Sequence, residues 1–251
     1  MPMPWIRCLL LCSALLGSGA ALAQPITVSA ASSLQDAMRE LGKTFSAEHP
    51  GVELSFNFAS SGALLTQIAQ GAPVDVYASA DLETMQRALA RRLVDAATRV
   101  EFAGNELVLI SPASRPASLG NLRDLLGAGV RYVAVGSVAT VPAGRYAKAA
   151  LDSQRLWTTL TPKLVFADNV RQVLTYVSRA EVDAGFVFRS DALQGADKVR
   201  IDLVVPLAQP VRYPIARVSA SKQPALADEF IRFVRSAPAQ AVLARHGFTA
   251  P

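Results

Sequence analysis

The sequence predicts an α/β protein of two closely apposed lobes. Short β-branched runs alternate with segments of helical period along nearly the whole chain. The alternation falls into two series, and short connections near Asn105 and Arg212 let the chain cross between them. No repeat of solenoid length, low-complexity tract or Gly/Ser linker interrupts it, which favours closely apposed lobes over separate beads.

The first series opens with a strand at Ile26-Thr27-Val28, followed by Leu34, Ala37, Met38, Leu41 and Phe45 at helical spacing. Residues 52–58 alternate as a strand, 64–69 read as a helix, 74–77 as a strand and 82–93 as a helix. The second series places strands at 107–110, 132–135, 163–166 and 185–188, with helices at 119–126, 145–151 and 170–177. Strands at 200–205 and 213–218 and helices at 225–235 and 238–246 complete the chain. Such alternation predicts mostly parallel sheets whose ligands bind beyond the carboxyl ends of the strands. Residues 24–104 with 214–251 are assigned to lobe I and 105–213 to lobe II.

Residues 1–23 read as a signal peptide. Arg7 precedes an apolar run from Cys8 to Leu16, and Ala21-Leu22-Ala23 supplies a small-residue cleavage pattern before Gln24. The run falls short of the ~20 residues a spanning helix needs. Both cysteines, Cys8 and Cys12, lie in this segment, so the mature chain has no thiol chemistry, disulfide or Cys-based metal site. It keeps 24 basic against 20 acidic residues, and its longest basic run, Arg91-Arg92, lacks interleaved aromatics, so no nucleic-acid partner is expected.

An enzymatic reading finds little support. The chain holds two histidines, His49 in a turn and His246 at a helix end, and neither HExxH, GxSxG, Walker A nor GxGxxG occurs. A different pattern recurs, in which a strand ends in small or hydroxyl residues and a helix begins. Ser33 opens one helix, Ser60-Ser61-Gly62 a second, Pro142-Ala143-Gly144 a third, and Asp168-Asn169-Val170 a fourth. Helix starts carry unpaired N–H groups and a partial positive charge, so several aimed at one cleft would cage an anion without a cation. A cage of N–H and O–H donors has no acceptor for a ligand proton, so the expected guest is a fully ionised oxyanion.

At these stretches the chain resembles the periplasmic molybdate-binding proteins of ABC importers. The motifs are Ala-Ala-Ser-Ser-Leu-Gln-Asp-Ala-Met (30–38), Phe-Ala-Ser-Ser-Gly (58–62), Gly-Ala-Pro-Val-Asp-Val-Tyr-Ala-Ser-Ala-Asp (71–81), Val-Pro-Ala-Gly-Arg-Tyr-Ala-Lys (141–148) and Arg-His-Gly-Phe-Thr (245–249). The resemblance implies a type II periplasmic-binding-protein fold, two α/β lobes with a hinge and a ligand cleft between them, closing over dehydrated molybdate or tungstate. It implies hydroxyl and amide donors from Ser33 and Ser61 and amide donors from Ala143 and Val170. Molybdenum would be held only as its oxyanion, with no separate metal or cofactor. The implied partners are an ABC permease and its ATPase subunit, and the implied state is a periplasmic monomer without membrane insertion. Where the family carries a tyrosine donor, this chain has Phe188. A water, a hydroxyl from Ser32 or Ser60, or the Arg189 guanidinium are the candidate replacements, and another oxyanion such as sulfate or chromate is the alternative ligand. Tyr77, Tyr146, Tyr176 and Tyr213 read as packing residues, and Asp168 as a helix cap.

Overall fold

The computed structural model describes residues 25–251. The signal-peptide assignment at 1–23 therefore lies outside the described residues. In chain order the elements are β1 (Ile26–Ala31), α1 (Gln35–Glu48), β2 (Leu54–Ala59), α2 (Ser61–Ala69), β3 (Val76–Ala78), α3 (Leu82–Ala90), β4 (Val100–Asn105) and β5 (Leu107–Pro112). Then come β6 (Val133–Gly136), α4 (Pro142–Ser153), α5 (Trp157–Leu160), β7 (Leu164–Ala167), α6 (Val170–Ser178), β8 (Ala184–Phe188) and α7 (Arg189–Gln194). Strands β9 (Val199–Val204) and β10 (Val211–Arg217) and helices α8 (Pro224–Val234) and α9 (Ala237–Arg245) follow.

The described strands form two five-stranded sheets, ordered β2-β1-β3-β10-β4 and β7-β6-β8-β5-β9. Each sheet begins with three parallel strands, in which the central one comes first in the chain. The expected parallel character stops there: β10 is antiparallel to β3 and β4, and β5 is antiparallel to β8 and β9. These reversals arise where the chain changes sheets. A strand arriving from the other lobe enters at the end where the parallel strands finish and runs back against them.

Two crossings connect the lobes, one between β4 and β5 and one between β9 and β10. The β4–β10 ladder pairs Asn105 with Val211 and Gly104 with Arg212, bringing the two crossings side by side. The end of the chain reinforces them: Gly104 N–H donates to Thr249 O at 2.8 Å, and Thr249 N–H donates to Gly104 O at 3.0 Å.

Helical periodicity marks which faces are buried. Helix α1 turns Ala37, Met38, Leu41 and Phe45 inward, and α6 turns Val170, Val173, Leu174 and Val177 inward. On the far face of the first sheet, Leu64, Leu65 and Ile68 of α2 and Met85 and Ala88 of α3 join a cluster with Tyr77 and Ala216. Residues 119–126, read as a helix, form only a 3₁₀ turn at Leu122–Leu126. Asn121 and Asp124 make a capping box there and the chain leaves the helix at Gly127, a span too short for α-helix to propagate.

Gly144 shows how closely α4 lies on β6. An added Cβ would stand 1.9 Å from Gly136 O, a backbone atom within the same lobe. Gly144→Ala is expected to lower unfolding stability by about 1–3 kcal/mol or more through overpacking, measurable by urea denaturation.

Candidate functional site

The carboxyl ends of the parallel strands in both sheets lead into the segments that meet between the lobes. Strand β1 passes directly into a 3₁₀ turn, Ser32–Leu34, and β2 leads through Ser60 into α2. Across the gap, α4 starts a few residues after β6 and α6 starts after β7. These starts line a small cavity of about 10 Å³. Ser33, Ser61, Ala143, Val170 and Phe188 all line it, with Ala31, Ser32, Ala59, Ser60, Ala80, Val141 and Pro142. Sites for drug-sized molecules are far larger, and this one as it stands has room for little more than one water. Two roomier clefts, one beside Tyr146 and Pro206 and one beside Pro73 and Val218, involve none of these five residues.

Local sequence explains the available amides. Pro142 at the first position of α4 has no N–H, which makes Ala143 the first donor of that helix. Asn169 caps α6 by accepting from Gln172 N–H at 3.0 Å, leaving the Val170 amide, the first of the helix, without an intrahelical partner. The cap is therefore Asn169 and not Asp168. Asp168 is exposed, and its own N–H donates to Gln172 Oε1 at 2.6 Å.

The serine hydroxyls are oriented by buried partners. Ser61 Oγ accepts from Ala80 N–H at 3.0 Å, which leaves its own proton free to donate. Tyr77 O–H fixes the same residue by donating to Ser61 O at 2.8 Å. Ser33 Oγ shares a 2.9 Å hydrogen bond with Tyr213 Oη, and Asn105 Nδ2 donates to that phenol at 3.4 Å. Burial, opposed only in part by these bonds, holds the Tyr213 pKa well above its ordinary value. The phenol stays protonated and, with Asn105 donating to its oxygen, is placed to donate its proton to Ser33. Ser33 can then donate its own proton to the cavity. Tyr213 thus does more than the packing expected of it, a role hidden by its distance of 180 residues from Ser33 in the chain.

Phe188 is buried, with its ring edge-on to Tyr146 at 6.2 Å and to Tyr213 at 5.7 Å. Arg189 is turned elsewhere: its guanidinium pairs with Glu106, and its N–H donates to Glu106 O at 2.9 Å. It is not placed to replace a donor at position 188.

Three groups of contacts bridge the lobes around the cavity. Gly62 N–H donates to Thr140 O at 2.9 Å. Arg145 of α4 donates to Asp81, the N-cap of α3, through Nε at 2.9 Å and Nη2 at 2.5 Å. Arg171 of α6 lies 2.7 Å from Asp36 of α1 and 2.6 Å from fully buried Asp191 of α7, as close ion pairs without aligned hydrogen bonds. Each arginine beside the cavity is thus matched by carboxylates, and the cavity wall itself is uncharged. Arg145 and Arg171 were not foreseen, since single charged residues on helices read as solvated faces.

The two histidines have structural partners. His49 bonds Phe45 O and Glu229, and His246 bonds Glu40. Among the described residues no group of three or more His, Cys, Asp or Glu side chains could hold a metal ion, and no helix is long and apolar enough to cross a membrane.

Two sheets joined by paired crossings, with helix starts converging on a small uncharged cavity, define a solute-binding protein. The chain belongs to the family of bacterial extracellular solute-binding proteins, which matches residues 26–249. It is 38% identical over 232 residues to the molybdate-binding protein ModA of Escherichia coli, covering 89% of this chain and 88% of that protein. It is 34% identical to ModA of Haemophilus influenzae over 94% of both chains. The solved periplasmic molybdate-binding protein of Azotobacter vinelandii has the same fold, with a TM-score of 0.81, 24% identity and coverage of 90% of this chain and 99% of that one.

Two predictions follow the lobe contacts. A Cβ on Gly62 would lie 2.8 Å from the Thr140 backbone, a clash that opening the cleft relieves. Gly62→Ala should raise the radius of gyration in small-angle scattering while changing stability by about 1 kcal/mol or less. Burial raises the Asp191 pKa from 3.8 to about 6, against the lowering effect of Arg171. Between these values the folded chain holds a proton that the unfolded chain has released. The stability from this group is therefore complete below the lower value and lost as pH rises through about 6. Asp191→Asn should flatten that part of a thermal-midpoint profile measured against pH.

Proposed function

We propose that this chain is a periplasmic receptor that captures molybdate, and tungstate as its near-isostere, and delivers it to an ABC permease driven by an ATPase. The observation that carries the reading is the uncharged cavity between the lobes, lined by Ser33, Ser61, Ala143 and Val170. Relatives at 34–38% identity named as molybdate-binding proteins support the choice of ligand.

In this reading Ser33 and Ser61 donate hydroxyl and amide protons, and Ala143 and Val170 donate amides. The anion needs no proton of its own and no counter-cation, because donors replace its hydration shell. Rejection of sulfate, an equally charged tetrahedral ion, then rests on cavity size. The lobes, 24–104 with 214–251 and 105–213, close because the ligand reaches donors on both sides only in the shut form. The permease reads that form, and the chain acts as a monomer without catalysing a reaction. The N-terminal segment directs export and is removed.

Calorimetric titration of the ligand-free mature protein with molybdate, tungstate, sulfate and phosphate tests this. Selective binding of the first two is expected, and preference for sulfate or phosphate, or no binding, would overturn it. Ser33→Ala and Ser61→Ala should each weaken molybdate binding roughly tenfold to a hundredfold, the cost of one hydrogen bond to a charged group.

A further inference from the structure

Position 188 leaves the cage one donor short of the family pattern, and the structure offers a specific replacement. Ser60 is the N-cap residue of α2, with extended backbone angles of −65° and 147°. A serine there ordinarily accepts a hydrogen bond from the second or third amide of its helix. Ser60 makes no such bond. Its side chain is 3% exposed, lines the cavity, and its Oγ has no hydrogen-bond partner. Of the buried side-chain polar atoms lacking a hydrogen bond among the described residues, Ser60 Oγ is the only one on the cavity wall.

Capping is therefore not what keeps this hydroxyl buried. No protein group satisfies this buried hydroxyl, and a group so placed must find its hydrogen bond in whatever fills the cavity. A hydroxyl can rotate its proton towards an incoming acceptor, and an oxyanion presents acceptors only. Arg189 is committed to Glu106 on another side. Phe188 and Ser60 line the same cavity, so a donor from Ser60 can serve the anion that a phenol at 188 would have served.

We propose that Ser60 Oγ donates a hydrogen bond directly to the bound oxyanion and takes over the part of the missing phenol. This rests on the oxyanion reading above. It makes Ser60 a specificity-determining residue alongside Ser33 and Ser61, with three side-chain hydroxyls where two were expected. A bridging water at position 188 becomes unnecessary.

The test is a double-mutant cycle on the mature protein, with molybdate as the titrant in calorimetry and thermal midpoints recorded without ligand. Ser60→Ala should weaken binding tenfold or more in the natural Phe188 background. In the Phe188→Tyr background the same change should cost less than threefold, because the phenol restores the donor. A capping or packing role would lower the ligand-free midpoint and cost the same affinity in both backgrounds, and that result would overturn the proposal. So would a loss below twofold for Ser60→Ala while Ser61→Ala still loses tenfold. If the unaltered protein bound no molybdate, the functional reading itself would fall, an outcome distinct from either of these.

Discussion

A doubly charged anion leaves water only if every side of it meets a donor, because an unpaired buried charge is costly beyond what the rest of a small protein can offset. That requirement organises this molecule. No charged residue is among those that line the cavity; hydroxyls and helix starts are, and helix starts present several amides together. A helix start stands beyond the carboxyl end of the parallel strand before it, so both sheets must aim those ends at the same gap. The paired crossings β4 and β10 allow that, since they bring two separately wound sheets face to face.

The charged residues near the cavity divide the labour differently. Arg145 and Arg171 come from the second lobe, and their partners Asp81 and Asp36 from the first. Their charges are spent on each other and set how the lobes meet, which leaves the guest to be judged by shape and by hydrogen bonding. Asp191 adds a second carboxylate to Arg171 and also accepts from Phe188 N–H at 3.3 Å, tying the ion pairs to the cavity wall.

Much of this was legible in the sequence because it is local. The strand-to-helix transitions at Ser33, Ser61, Ala143 and Val170 are written in consecutive residues, through Pro142 and Asn169 as well as the serines, and all four reach one cavity. What stayed hidden depends on partners far along the chain. The phenol of Tyr213 meets Ser33 across 180 residues, and nothing around either residue signals the contact. The antiparallel strands were missed for the same reason, since direction within a sheet is decided by which lobe the chain is leaving. Asp168 and Asn169 are both good caps by type, and only the backbone angles at the helix start decide between them.

Phe248 packs edge-on against Tyr213 at 5.4 Å, and Thr249 pairs with Gly104 on β4. The residue that orients a cavity hydroxyl is thus braced by some of the most C-terminal residues described. A ribosome delivers this chain from its N-terminus, so the strands of the second lobe emerge well before the first lobe can be finished. Until residues 248 and 249 arrive, Tyr213 lacks its brace and the crossing strand its outer partner. The brace behind the Ser33 wall of the cavity is thus among the last parts of the chain to be made.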